Sequence, residues 1–204
     1  MATIRRKTLG TGAALAVAPA AMALLPSIQT QLQDWIVGQE AAVSAVAAAI
    51  GRYRAGTAES GRPLASFHFL GPNGVGKTHL AKAMAALAFG TTDALRRVDM
   101  SGVADPSPLI EAAQASPRHV LLLDQVDKVS DDALVWLRQL LREARVTDGQ
   151  GRSADFTRAF VILTSLKPAT RLGEVTTLAR PVSFLPLTPA QKAEVARRMA
   201  QRST

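Results

Sequence analysis

The eight residues Gly71-Pro72-Asn73-Gly74-Val75-Gly76-Lys77-Thr78 constrain this chain more than any other stretch, because they match G-x-x-x-x-G-K-[S/T] at every fixed position. Ser66 to Leu70 reads as a strand before them, and His79 to Ala88 as a helix after them, the context that such a loop requires. The glycines let the backbone bend around an anion without side-chain clash. The loop amides, reinforced by the positive end of the following helix, then surround a β-phosphate. Lys77 reaches the β and γ oxygens, and the Thr78 hydroxyl joins a Mg²⁺ shell. The expected ligand of Gly71, Pro72, Asn73, Gly74, Val75, Gly76, Lys77 and Thr78 is therefore a nucleoside triphosphate, ATP with Mg²⁺.

Around this loop, strand and helix patterns alternate. Strands are expected at Ser66 to Leu70, Leu95 to Asp99, Val120 to Leu123, Phe160 to Thr164 and Val182 to Leu185. Helices are expected at Glu40 to Arg54, His79 to Ala88, Leu109 to Ala115, Asp131 to Ala144 and Pro189 to Gln201. Runs such as Val120 to Leu123 are apolar without alternation, as in strands of a parallel sheet buried on both faces. The pattern predicts an α/β fold of the P-loop type, a doubly wound parallel sheet of five strands with helices on both faces. At 204 residues the chain has room for one such domain. The expected organisation is a leader at residues 1–33, signal-like or flexible, a nucleotide-binding domain at 34–187, and a C-terminal helix at 188–204.

Composition excludes more than it selects. With no cysteine there is no disulfide or thiolate metal site, and His68, His79 and His119 lie far apart in sequence, which leaves a zinc reading without support. The formal charge of +8 comes largely from arginines spread along the chain, so nucleic acid is a possible but not favoured partner. Arg5, Arg6 and Lys7 before the weakly apolar stretch Leu9 to Leu25 resemble an export signal. That stretch is alanine-rich, broken by Gly10, Gly12 and Pro19, and short for a bilayer span. The expectation is a cytoplasmic protein without firm membrane association, with export or attachment through residues 1–25 as the alternative.

The second chemical element is Val120-Leu121-Leu122-Leu123-Asp124, a buried strand ending in a carboxylate at the sheet edge where ligands sit. Asp124 is the candidate acid that holds Mg²⁺ through water. In most ATPases of this kind a glutamate follows and polarises the attacking water, whereas here the position is Gln125. An amide orients water but cannot take its proton, and a general base contributes about 10²–10⁴-fold. Binding should survive this change while turnover suffers.

Ile36-Val37-Gly38-Gln39, Phe69 to Lys82, Val98 to Ser101, Leu121 to Lys128 and especially Arg145-Val146-Thr147-Asp148-Gly149-Gln150-Gly151-Arg152 with Asp155-Phe156 together resemble the second ATPase module of the Clp-type AAA+ chaperones, from about Asp34 to Leu187. The resemblance implies that Ile36 and Val37 border the adenine, that Asp124 serves the metal, and that Arg180 is the arginine finger reaching a neighbouring subunit's γ-phosphate. It also implies ATP or ADP as ligand and other AAA+ subunits or a client protein as partner.

The departures from the family pattern matter equally. The sensor asparagine is replaced by Leu166, and the stretch between Ser101 and Leu109 is short and lacks the aromatic pore loop, for which Tyr53, the only tyrosine, cannot substitute. The chain also ends near the first helix of the family's small helical lid. Three functions follow: a nucleotide-dependent switch with weak or no hydrolysis, a working ATPase that remodels proteins within a ring, and a nucleic-acid-associated loader.

Overall fold

The computed structural model describes residues 19–168 and 170–202. Five short strands pair edge to edge, all parallel: β1 (Ala65–Leu70), β2 (Leu95–Asp99), β3 (Val120–Asp124), β6 (Phe160–Ser165) and β7 (Arg180–Ser183), in the order β2-β3-β6-β1-β7. This is the five-stranded parallel α/β sheet expected from the sequence. The pleat explains the unbroken apolar runs, since successive side chains face opposite sides and both sides are covered. Phe67, Phe69, Val120, Leu122, Phe160 and Ile162 belong to one core. Leu121, Leu123, Val161 and Leu163 belong to the other.

Against the first face pack α1 (Pro19–Trp35), α2 (Glu40–Arg54) and α3 (Lys77–Phe89). The second face is covered by α4 (Ser107–Ala115), α5 (Asp131–Glu143) and the short α6 (Val175–Leu178), and α7 (Pro189–Arg202) closes the chain. The strongly amphipathic α5 owes its start to Ser130, whose hydroxyl accepts the Ala133 amide at 3.2 Å. It buries Leu134, Leu137, Leu140 and Leu141. The strands place the glycine loop after β1 and Asp124 at the end of β3, on the same carboxyl edge of the sheet.

Several local features differ from the sequence expectation. Arg145–Thr147 and Ser153–Asp155 form an antiparallel hairpin, β4 and β5, around the Asp148 turn. There Asp148 accepts the amides of Gln150 and Arg152 at 2.9 Å each and the Arg152 guanidinium at 2.7 Å. The last strand begins at Arg180 rather than Val182, because pairing to β1 starts opposite Phe67. Likewise α3 begins at Lys77 and α4 at Ser107, each about half a turn earlier than periodicity suggested.

Most consequential is α1, which runs across the expected boundary between leader and domain at residue 33. It lies on α2 and fully buries Ile28 and Leu32 in the first core. Residues 1–18, with the basic cluster and the first half of the signal-like stretch, lie outside the described residues. Among the described residues no helix is long and apolar enough to cross a membrane.

If α1 is an integral layer, Leu32→Ala should cost about 2–5 kcal/mol, the range for emptying a buried leucine site. Chemical denaturation monitored by circular dichroism measures this. A midpoint unchanged from the parent would mean that α1 is not docked.

Candidate nucleotide site

The strand β1 delivers the chain at Gly71 into a tight contact with the end of β7. A β-carbon at Gly71 would stand 2.4 Å from the Phe184 carbonyl oxygen, so only glycine fits there. Gly76, at φ 106°, turns the loop into α3 and has no side chain to cap the helix, and the first turn carries no acidic residue. Amides at such an N-terminus point outward together with the positive end of the helix dipole, an arrangement suited to phosphate.

Lys77 is 9% exposed, and its ammonium donates to the carbonyls of Gly71 at 2.5 Å and Pro72 at 2.8 Å. Burial lowers its pKa, opposed by the negative charges of Asp124 and Asp127. The lysine is thus held inside its own loop, with its charge at the place where phosphate oxygens would converge.

At the neighbouring strand end, the Asp124 carboxylate is held from both sides. Oδ1 accepts the Thr164 hydroxyl, and Oδ2 accepts Nε and Nη2 of Arg97 at 3.1 and 2.5 Å. Gln125 adopts the left-handed conformation, φ 61°, with its amide on the Thr164 hydroxyl at 3.3 Å. Its side chain is also engaged at both ends: Nε2 donates to Asp99 Oδ2 at 3.1 Å, and Oε1 accepts Lys128 Nζ at 2.5 Å. The backbone amide and hydroxyl of Ser101 bond the Asp99 carboxylate and lower its pKa.

Between these groups lies a cavity of about 660 Å³. Its apolar lining comes from Trp35, Ile36, Val37, Leu187, Val195 and Met199. Its polar lining comes from the loop from Asn73 to Thr78 with Lys82, Arg97, Asp124 and Arg198. Apolar side chains and cationic groups around one cavity suit a purine joined to phosphates. Thr78 and Asp124 both line this cavity, and oxygen donors of this kind suit Mg²⁺, which draws its remaining ligands from phosphate and water. Such an ion would supply Lewis-acid neutralisation of phosphate charge. Among the described residues no group of three or more His, Cys, Asp or Glu is arranged to hold a metal.

The structure therefore gathers Ile36, Val37, Asn73 to Thr78 and Asp124 around one cavity, with Gly71 and Pro72 behind Lys77. Gln125 stands beside Asp124, outside the cavity wall. Arg180 is not part of this site. It is exposed and pairs with Phe67 near the amino end of β1, bordering a second cavity with Arg52, Glu59 and Arg62.

Three contributors were missed in the sequence. Gln39, left-handed at φ 62° and nearly buried, bridges elements that are distant in the chain. Its side-chain amide donates to the Leu185 carbonyl at 2.8 Å and accepts the Leu185 amide at 3.0 Å, which ties the segment after α1 to the chain just past β7. Arg97 had been one of many scattered arginines. Arg198, on α7, lines the cavity and donates to the carbonyls of Gln33 at 2.8 Å and Asp34 at 3.3 Å, so the closing helix is part of the site wall. Only the Ile-Val-Gly-Gln segment carried any signal for Gln39.

The fold and the glycine loop define a P-loop nucleotide-binding domain. Within that class, the family model described as AAA domain (Cdc48 subfamily) matches residues 62–108 and 102–199. The chain belongs to the AAA+ family and is a module of the Clp type. It is 44% identical over 157 residues to chaperone protein ClpB 1 of Thermosynechococcus vestitus, covering 68% of this chain and 18% of that protein. It is 43% identical over 163 residues to ClpB 1 of Synechococcus elongatus, covering 71% and 19%. Against the chloroplastic ClpB3 of Arabidopsis thaliana it is 41% identical over 157 residues, covering 68% and 16%. The chain thus spans less than a fifth of the length of these relatives.

Beneath the site, His68 is 1% exposed and shares a 2.8 Å hydrogen bond with Ser165, the residue after Thr164. Burial lowers its pKa below the ordinary 6.5, opposed by Asp127, and burial lowers that of His119 as well. Both rings are neutral in the fold at neutral pH. The unfolded chain takes up their protons first as pH falls, so stability is full above about 6.5 and declines below it. The denaturant midpoint should drop between about pH 7.5 and about pH 5.5. His68→Gln should shrink that drop, and an unchanged pH dependence would remove His68 as its source.

Proposed function

We propose that this chain is an ATP-binding module of the Clp type that responds to nucleotide as a switch and hydrolyses it slowly or not at all. The carrying observation is an imbalance within one site. The phosphate loop, its lysine and the metal carboxylate sit around a cavity of fitting shape, while the position next to Asp124 holds an amide bonded to Asp99 and Lys128.

In this reading, ATP lies with its purine between Ile36, Val37 and the α7 side chains and its phosphates on Gly71 to Thr78. Lys77 leaves its carbonyl partners for the β and γ oxygens, and Thr78 and Asp124 serve Mg²⁺. Gln125 orients water without accepting a proton. Leu166, 47% exposed where the family has its sensor asparagine, offers no second polar group. Contacts of Val195, Arg198 and Met199 with the cavity couple nucleotide occupancy to α7. A cytoplasmic setting, where ATP is supplied, goes with this function.

A second reading, an ATPase acting in protein remodelling as part of a ring, is favoured by the position of Arg180. Exposed and remote from its own cavity, that guanidinium could meet a triphosphate only across an interface with another subunit. A finger of this kind contributes about 10³–10⁵-fold where it operates. A loader acting on nucleic acid has no comparable support.

Nucleotide binding measured beside phosphate release separates these readings. The parent should bind ATP and ADP, Lys77→Ala should bind neither, and turnover should be slow. Gln125→Glu should raise turnover by up to about 10²-fold, the lower end of a general-base contribution, because Lys128 would hold the new carboxylate charged and less basic. A parent that turns over as fast as the Gln125→Glu variant would overturn the switch reading in favour of the ring ATPase.

A further inference from the structure

Arg97 lies on the edge strand β2, opposite Leu122, while Asp99 is opposite Asp124. Its side chain therefore has to run forward along the sheet edge to meet the carboxylate, and it places two donors on the one oxygen Oδ2. The other oxygen is taken by the Thr164 hydroxyl. The Arg97 side chain is 56% exposed and that of Asp124 16%, so the arginine leans over the carboxylate from solvent. Among the described residues Asp124 is also the one acidic residue lining the nucleotide cavity, and Arg97 lines it too. A divalent cation drawn to Asp124 would meet this guanidinium already on Oδ2.

We propose that Arg97 is a tethered rival of the divalent cation for Asp124, and so sets how much metal the site requires; this rests on the nucleotide-binding reading above. With the carboxylate bound to Arg97, the cavity has its negative group neutralised and the cations Lys77 and Lys82 on its walls, which favours nucleotide arriving without metal. When a divalent ion claims the carboxylate, the guanidinium is released into the same cavity, where its planar fork suits phosphate oxygens. The exchange keeps one cation on Asp124 in either state and moves a second toward the phosphates. Metal affinity is lowered by the work of displacing the arginine, and the response to nucleotide becomes graded by metal concentration.

The test is calorimetric titration of the full chain with ADP across a Mg²⁺ series starting from chelated buffer, for the parent, Arg97→Gln, Arg97→Lys and Lys77→Ala. Arg97→Gln should lower the Mg²⁺ concentration that half-restores tight binding by roughly three- to tenfold, the scale of a partly exposed charged pair. Arg97→Lys, which keeps the charge but loses the fork, should shift it in the same direction by less. If Arg97→Gln does not fold, the lysine variant carries the test alone. A half-point unmoved or raised in the folded variants, with parent binding intact and Lys77→Ala dead, overturns the rivalry and leaves the nucleotide reading standing. Parent protein that binds no ADP at any Mg²⁺ concentration overturns both.

Discussion

The approach of Gly71 to Phe184 is the contact on which the rest of the site depends. Any side chain at Gly71 would collide with the Phe184 carbonyl oxygen at 2.4 Å, and that carbonyl is fixed because the Phe184 amide bonds the Leu70 carbonyl at 2.6 Å. The Gly71 amide in turn donates to the Ser165 carbonyl at 3.2 Å. The start of the phosphate loop is therefore clamped between the ends of β6 and β7. Gln39 extends the clamp by bonding Leu185. The anion cradle inherits its shape from the sheet rather than from its own flexible backbone.

The same sheet edge brings the charged groups together. Asp124 and Thr164 end adjacent strands, Asp99 ends the next, and Gln125 in its left-handed turn reaches across to Asp99. Each member of this network is satisfied by another, and a buried or half-buried polar network fixes its geometry best when no partner is missing. A carboxylate in place of Gln125 would face Asp99 where the amide now donates to it. The Gln125 amide is thus part of a consistent hydrogen-bonded arrangement at the strand ends.

How much of this was legible in the sequence depended on the range of each signal. The loop and the five strands were readable because glycine spacing and apolar runs are local, and a strand buried on both faces declares itself without any partner. The hairpin around Asp148 was not, since strands of three residues show no periodicity. Helix α1 was obscured by its alanine-rich composition and by Pro26, and the burial of Ile28 and Leu32 is set by α2 and the first core rather than by their neighbours. Arg97 was invisible as a site residue for a stronger reason. Its partner is 27 residues away, and their meeting depends on the β2–β3 register. For Arg180 the sequence supplied a role by resemblance, and the structure supplied only a location remote from the chain's own cavity.

The central claim, that the loop amides enclose nucleotide phosphates, is tested most directly by hydrogen–deuterium exchange of the backbone from Gly74 to Leu80 with and without ATP and Mg²⁺. Strong slowing of exchange confined to this segment and the cavity wall, lost in Lys77→Ala, is the predicted result. Unaltered exchange across the loop at saturating nucleotide would contradict the account.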